Sequence, residues 1–228
     1  MTTENKPAVW EMVVVHRAFR REFKLAPELV RQVAPGDLDR TGTLVSYLTE
    51  LLDGLQIHHS GGDKLLWPLL RSRVTFEVEL ADSMERRRES VHAHLTRLRE
   101  LLPAWAASAG AGERDLVADA LLRLHDDLVE HLDQEEARVL PLVAEFVTKD
   151  EWDTLSEHAS GRLPKDRRLI HLGSVLEDAT EGERERFLAL LPLPARLAWH
   201  VRGRRQYRRE RADVRRGFRR ERAGLRGR

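Results

Sequence analysis

At 228 residues the chain can build one good core with an appendage, or two small domains. Hydrophobic residues make up 41%, charged residues 34% and aromatic residues only 6%, a mix that suits charged amphipathic helices better than strands. The absence of cysteine excludes disulfides, thiolate nucleophiles, iron–sulfur clusters and cysteine-bound zinc, so any metal must be held by imidazole and carboxylate, and there are ten histidines.

In chain order, the opening MTTENKPAVWEMVVVH lacks a basic region followed by an apolar run, and is not expected to be a signal peptide. Val9, Val13, His16, Phe23 and Val30 then fall three, four or seven apart, which predicts a helix over 10–34 closed by Ala34-Pro35-Gly36-Asp37. A second stripe, Leu44, Leu48, Leu51, Leu55, His58, Gly62, Leu65 and Leu69, predicts a helix over 38–70. Val78, Ala81, Met84, Arg88, Val91, Leu95, Leu98 and Leu102 predict a third over 74–102. After the break SAGAG at 108–112, Val117, Leu121, Leu124, Leu128, His131, Glu135, Val139, Leu142 and Phe146 predict a fourth over 113–147. Four such helices on short loops give an all-α fold, an antiparallel up-down-up-down four-helix bundle with additional C-terminal helices.

Past Phe146 the pattern changes. Thr148-Lys149-Asp150-Glu151 has the form of an N-cap with acids in the first turn. Shorter helical pieces follow, punctuated by Gly161, Pro164, Pro192 and Pro194. From 201 to the end there are 13 Arg against Glu210, Asp213 and Glu221, a net of +10, which leaves about −9 on the other 200 residues. The expected organisation is a bundle over 8–147, a helical extension over 148–203 and a basic tail over 204–228. That tail has few apolar residues to dock it, so the expectation is exposure, little contribution to stability and a weak salt-sensitive contact with polyanions. No stretch approaches 18 apolar residues, so no membrane span is expected, and the cytoplasm is the default location. Oligomeric state is not legible.

The second and fourth segments repeat one motif. His58-His59-Ser60-Gly61-Gly62-Asp63 runs to Trp67-Pro68-Leu69, and His131-Leu132-Asp133-Gln134-Glu135-Glu136 runs to Leu140-Pro141-Leu142, with a constant offset of 73 residues. His16 precedes His58 by 42 residues, and Arg88 precedes His131 by 43. The chain therefore reads as two helix–helix copies, each with one ligand position on its first helix and an H-x-x-x-E pair on its second. Positions i and i+4 share a helix face, so a histidine and a carboxylate there can hold one ion together, and four facing helices bring two such sets into one core. The first copy keeps both histidines but has Gly62 in place of the acid; the second keeps His131 and Glu135 but has Arg88 in place of the histidine.

HRAFRRE at 16–22, GDLDR at 36–40, the HHxxxDxxLWPLL run, MERRRESV at 84–91, and HLDQEExxVLPL followed by Glu151-Trp152 resemble hemerythrin-like (HHE cation-binding) domain proteins of the actinobacterial type, over roughly residues 8–200. The resemblance implies non-haem iron, with His16, His58, His131 and Glu135 as metal ligands. Such proteins read HHxxED at the second-helix motif and MExQHExV on the third helix, so Gly62 and Arg88 stand where a glutamate and a histidine belong and are the site-blocking residues. His92, one turn beyond Arg88, and Asp63, about 100° around the helix from position 62, are the substitute ligands to consider. His59, His92, His94 and His125 otherwise read as solvent-facing or outer groups, and Trp67, Pro68 and Pro141 as structural.

The first functional expectation is a hemerythrin-like protein with a degenerate site that holds fewer than two ions, or none. A working di-iron protein that binds or senses O2 or a similar small molecule is the alternative, and an interaction module with a polyanion-binding tail is a third. No nucleophile–base arrangement or phosphate loop is legible, so an enzyme is not expected. Arg88, costly to bury unpaired, is expected to reach Glu135.

Overall fold

The computed structural model describes residues 5–74 and 78–217, whose regular structure is helical throughout. α1 (Trp10–Arg31) is followed by the turn at Gly36, whose φ of +83° is the left-handed region that glycine enters without strain. The Gly36 N–H donates to the carbonyl of Ala109 at 2.9 Å, which ties this turn to the far end of the third bundle helix. Asp37 caps α2 (Leu38–Gly61) by accepting from the Arg40 N–H at 2.9 Å.

α2 does not run straight into α3 (Trp67–Arg73). A single π-turn over Gly62–Leu66 separates them, and the Trp67 N–H reaches back to the carbonyl of Gly62. The same device recurs between α5 (Ala111–Gln134) and α6 (Leu140–Phe146), where residues Glu135–Val139 form the π-turn and the Leu140 N–H bonds to the carbonyl of Glu135. Pro68 and Pro141 favour both, although Pro27 in α1 and Pro103 in α4 are taken into regular helix without one. A proline inside a helix donates no hydrogen bond and its ring crowds the carbonyl four residues back, so here one extra residue is taken into the preceding turn. The 73-residue repeat is thus written into the backbone, and each π-turn begins on the ligand position.

α4 (Val78–Ser108) runs six residues past the expected end at 102. Pro103 is exposed, and Leu102 and Trp105 bury against the core on the other side, so apolar packing carries the helix through the proline. α1 packs on α2 and α5, and α4 packs on the same two, which closes the square of an antiparallel bundle. One apolar layer is centred on Phe23, Leu48, Leu52, Leu95, Leu124 and Leu128; a second holds Leu66, Leu70, Met84, Val139 and Val143 with Trp152 of the next helix. The histidines lie between these layers along the chain.

α7 (Lys149–Arg162) opens with the Thr148/Glu151 capping box and packs on α2. α8 (Arg168–Glu177) lies on α1, α9 (Glu181–Leu190) and α10 (Leu193–Ala198) follow, and a third π-turn at Trp199–Gly203 leads into α11 (Arg204–Val214). Among the described residues no helix is long and apolar enough to cross a membrane.

The expectation that the chain beyond 204 is exposed is corrected over 204–217. Tyr207 is buried on α8, so close to Gly173 that any side chain there would collide with the ring, and Val214 joins the main core. Arg215 bonds both Glu22 of α1 at 2.9 Å and Glu177 of α8 at 2.8 Å, while Tyr47 of α2 donates to Glu22 at 2.6 Å. Net charge hid this docking: Arg211 of α11 and Arg215 just past it meet acids of the body, and a few apolar residues on one face suffice to seat the helix. The polyanion-binding expectation for 218–228 falls outside the described residues.

Candidate metal centre

His16 of α1 is fully buried. Its Nδ1 lies 2.9 Å from Oε1 of Glu136, and Arg20, one turn along α1, donates to the same oxygen at 2.7 Å. Burial alone would raise the Glu136 carboxyl; hydrogen bonds from His16 and Arg20 outweigh it and hold the group below the usual carboxylate range. A carboxylate kept ionised accepts, so Nδ1 of His16 donates to Glu136 and Nε2 is turned the other way. That Nε2 is buried without a hydrogen-bond partner and faces Oε2 of Glu135 at 3.7 Å. That spacing is too long for a hydrogen bond. A carboxylate–histidine pair of this kind is the arrangement that orients an imidazole towards a metal.

His58 completes the group. Its ring stands 5.2 Å from that of His16, nearly perpendicular, and ligand atoms of His16, His58 and Glu135 all lie within 4.8 Å of one another. His131 approaches from α5, its Nε2 3.9 Å from the same Glu135 oxygen. Burial pushes the imidazolium forms of His58 and His59 well below the usual histidine range, and the neighbouring imidazoles reinforce it. His131 is lowered too, again chiefly by burial, against the opposing charge of Glu135. These three are therefore neutral at pH 7, the form that ligates metal.

Arg88 does not reach Glu135. Its guanidinium pairs with Asp63 at 2.7 Å, both groups partly in water. The physical reason is hydration: Asp63 lets the cation stay at the rim, whereas Glu135 would draw it into a pocket of buried imidazoles. The pairing also follows the repeat. Position 63 corresponds to 136, so Asp63 holds Arg88 as Glu136 holds His16. The first-helix residue of each copy is braced by the acid of the other copy, a histidine in one brace and an arginine in the other.

The two substitute ligands lie elsewhere: Asp63 is engaged with Arg88, and His92 is exposed on α4. His94 and His125 bond Asp127 and Asp126 near the surface. His59, in contrast, is buried beside His131, ring centroids 5.1 Å apart, with Nε2 unpartnered. The repeat carries the signal for it, because position 59 corresponds to Leu132, a fully buried residue. Glu136 is likewise legible only once the two motifs are overlaid and the partner helix is known.

The donor set fits a metal. A buried His16 nitrogen with no hydrogen-bond partner, the Glu135 carboxylate that faces it and His58 close to both suit one cation held by His16, His58 and Glu135. Gly62 supplies no second carboxylate, although a Cβ there would meet nothing within 4 Å. No curated protein and no solved structure matches this chain. The family model described as the hemerythrin HHE cation-binding domain matches residues 8–143, more than half of the chain, and the chain belongs to that family.

Proposed function

We propose that this protein is a cation-binding member of its family whose centre is reduced from two ions to one. His16, His58 and Glu135 hold a single divalent transition metal, iron before others, with His131 beside them. The observation that carries the reading is the buried His16 Nε2, without a hydrogen-bond partner, facing Glu135 Oε2 at 3.7 Å. Two imidazoles and one carboxylate suit divalent non-haem iron and leave coordination positions open to a small molecule such as O2. A second ion would need ligands at positions 62 and 88, where this chain has a glycine and a guanidinium that repels cations. The role is binding or sensing rather than catalysis, since no nucleophile–base pair or phosphate loop accompanies these residues in the sequence. Non-haem iron is thus the cofactor, at less than the full complement of two.

The test is anaerobic reconstitution with ferrous iron, desalting, and metal analysis. One iron per chain is expected, lost in His16→Ala and in Glu135→Ala, with helix content by circular dichroism retained. Two tightly held irons, none, or one that survives both substitutions would overturn the reading.

A further inference from the structure

α10, the π-turn after it and α11 form one continuous helical run with two opposite faces. The inner face carries Trp199, Gly203, Tyr207 and Val214, all buried. The outer face carries Leu193, Leu197 and Val201, spaced by four, with 68%, 60% and 82% of their surface exposed. Leu190 at the end of α9 is also more than half exposed. Scattered single apolar residues on a surface need no explanation, but a stripe at helical spacing does. The same outward positions then change character, continuing into Arg204, Arg205 and Arg208, all exposed. From Arg186 to Arg209 the sequence has seven arginines and no acid.

We propose that this outer face is a docking surface for anionic lipid, on which the protein lies with Leu193, Leu197 and Val201 at the acyl boundary and Arg204, Arg205 and Arg208 among the headgroup phosphates. An apolar stripe continued by arginines along one helix is the pattern that binds in a membrane interface. No described helix can cross a bilayer, so the contact is peripheral. Charge decides between occupants. A second copy packed on the apolar stripe would leave the arginines without a counter-charge from this face, which has no carboxylate between 186 and 209. A nucleic acid would engage the arginines but give three exposed leucine and valine side chains nothing to bury against. An anionic bilayer satisfies both halves. The surface uses none of the metal-centre residues.

The experiment is co-sedimentation of the full chain with vesicles of phosphatidylcholine alone and of phosphatidylcholine mixed with phosphatidylglycerol. Binding is expected only to the mixed vesicles and should weaken with salt. Replacing Arg204, Arg205 and Arg208 with Gln should weaken it about a hundredfold, given the usual gain per basic residue at such a surface. Replacing Leu193, Leu197 and Val201 with Gln should weaken it at least about tenfold with the arginines intact. Because the chain has no cysteine, Val201→Cys carries a single environment-sensitive fluorophore, whose emission should shift to the blue on mixed vesicles and not on phosphatidylcholine. The proposal is overturned if the unmodified chain ignores mixed vesicles or the apolar substitutions leave binding unchanged. It is equally overturned if the label reports water throughout, if the stripe instead mediates a dimer in gel filtration, or if the arginine substitutions abolish binding to duplex DNA while vesicles go unbound.

Discussion

On the proposed one-ion reading, Gly62 and Arg88 set how many ions this chain holds, and each can be tested on its own physics. Gly62 has φ −54° and ψ −51°, ordinary helical backbone, with open space where a side chain would begin. Nothing in the backbone therefore requires glycine. Gly62→Ala should stabilise the fold by about 0.5–1 kcal/mol, the usual gain for removing a helical glycine; a lower melting temperature would show an unrecognised close approach. Arg88→His with Gly62→Glu should then restore a second set of ligands. The imidazole introduced at 88 would inherit Asp63 as its brace, as His16 has Glu136. Iron per chain should rise towards two, with new near-ultraviolet charge-transfer absorption. Arg88→His alone should not do this, because position 62 would still lack a carboxylate; neither should Gly62→Glu alone, whose acid would pair with the guanidinium. If the double variant still holds one iron, the loss of the second site lies elsewhere than these two positions.

At the scale of helices, period and repeat made the bundle legible. Four long apolar stripes can be buried only against one another, and the offset of 73 residues aligns His58 with His131 by spacing alone. The partner of Arg88 was not legible. Spacing along one helix says which residues share a face, not which acid on a facing helix lies within reach of a long flexible side chain. His59 escaped because its neighbour His58 had already taken the ligand position in the motif. The C-terminal arm escaped for another reason: thirteen arginines dominate any count, while Trp199, Gly203 and Tyr207, four apart, are the face that docks. A chain truncated after Gly203 should therefore lose about 3 kcal/mol or more, from the buried Tyr207 and Val214 together. Tyr207→Ala alone should cost about 2–4 kcal/mol. An unchanged melting temperature in both would mean that α11 is docked without contributing to stability.

Across the whole molecule, clusters of opposite charge join the bundle to the helices that follow it. Glu50 of α2 receives two hydrogen bonds from Arg167, at 2.9 and 2.5 Å, and pairs with His171 of α8 at 3.0 Å, while Arg167 also holds Glu210 of α11. One cluster thus joins the bundle to two of the helices that follow it. Burial pushes the Glu50 carboxyl up, but His171 and Arg167 pull it further down, to about 2 from an ordinary value of 4.5. The sign follows from proton binding: the unfolded chain takes up this proton first as the solution is acidified. The stabilisation is complete above pH 4.5 and is lost as the pH falls from there towards 2. Its size is of order 2–3 kcal/mol, since a unit of pKa corresponds to about 1.4 kcal/mol and Glu50 is only partly shielded from water. Glu50→Gln removes the titrating group, so the variant should be less stable at neutral pH and flatter in its acid response. Thermal melts of both proteins from neutral pH down to 3 measure the difference, which should narrow steadily below 4.5. Parallel curves would mean that the arm is held by apolar contacts at Tyr207 and Val214, with the Glu50 cluster contributing nothing to acid sensitivity.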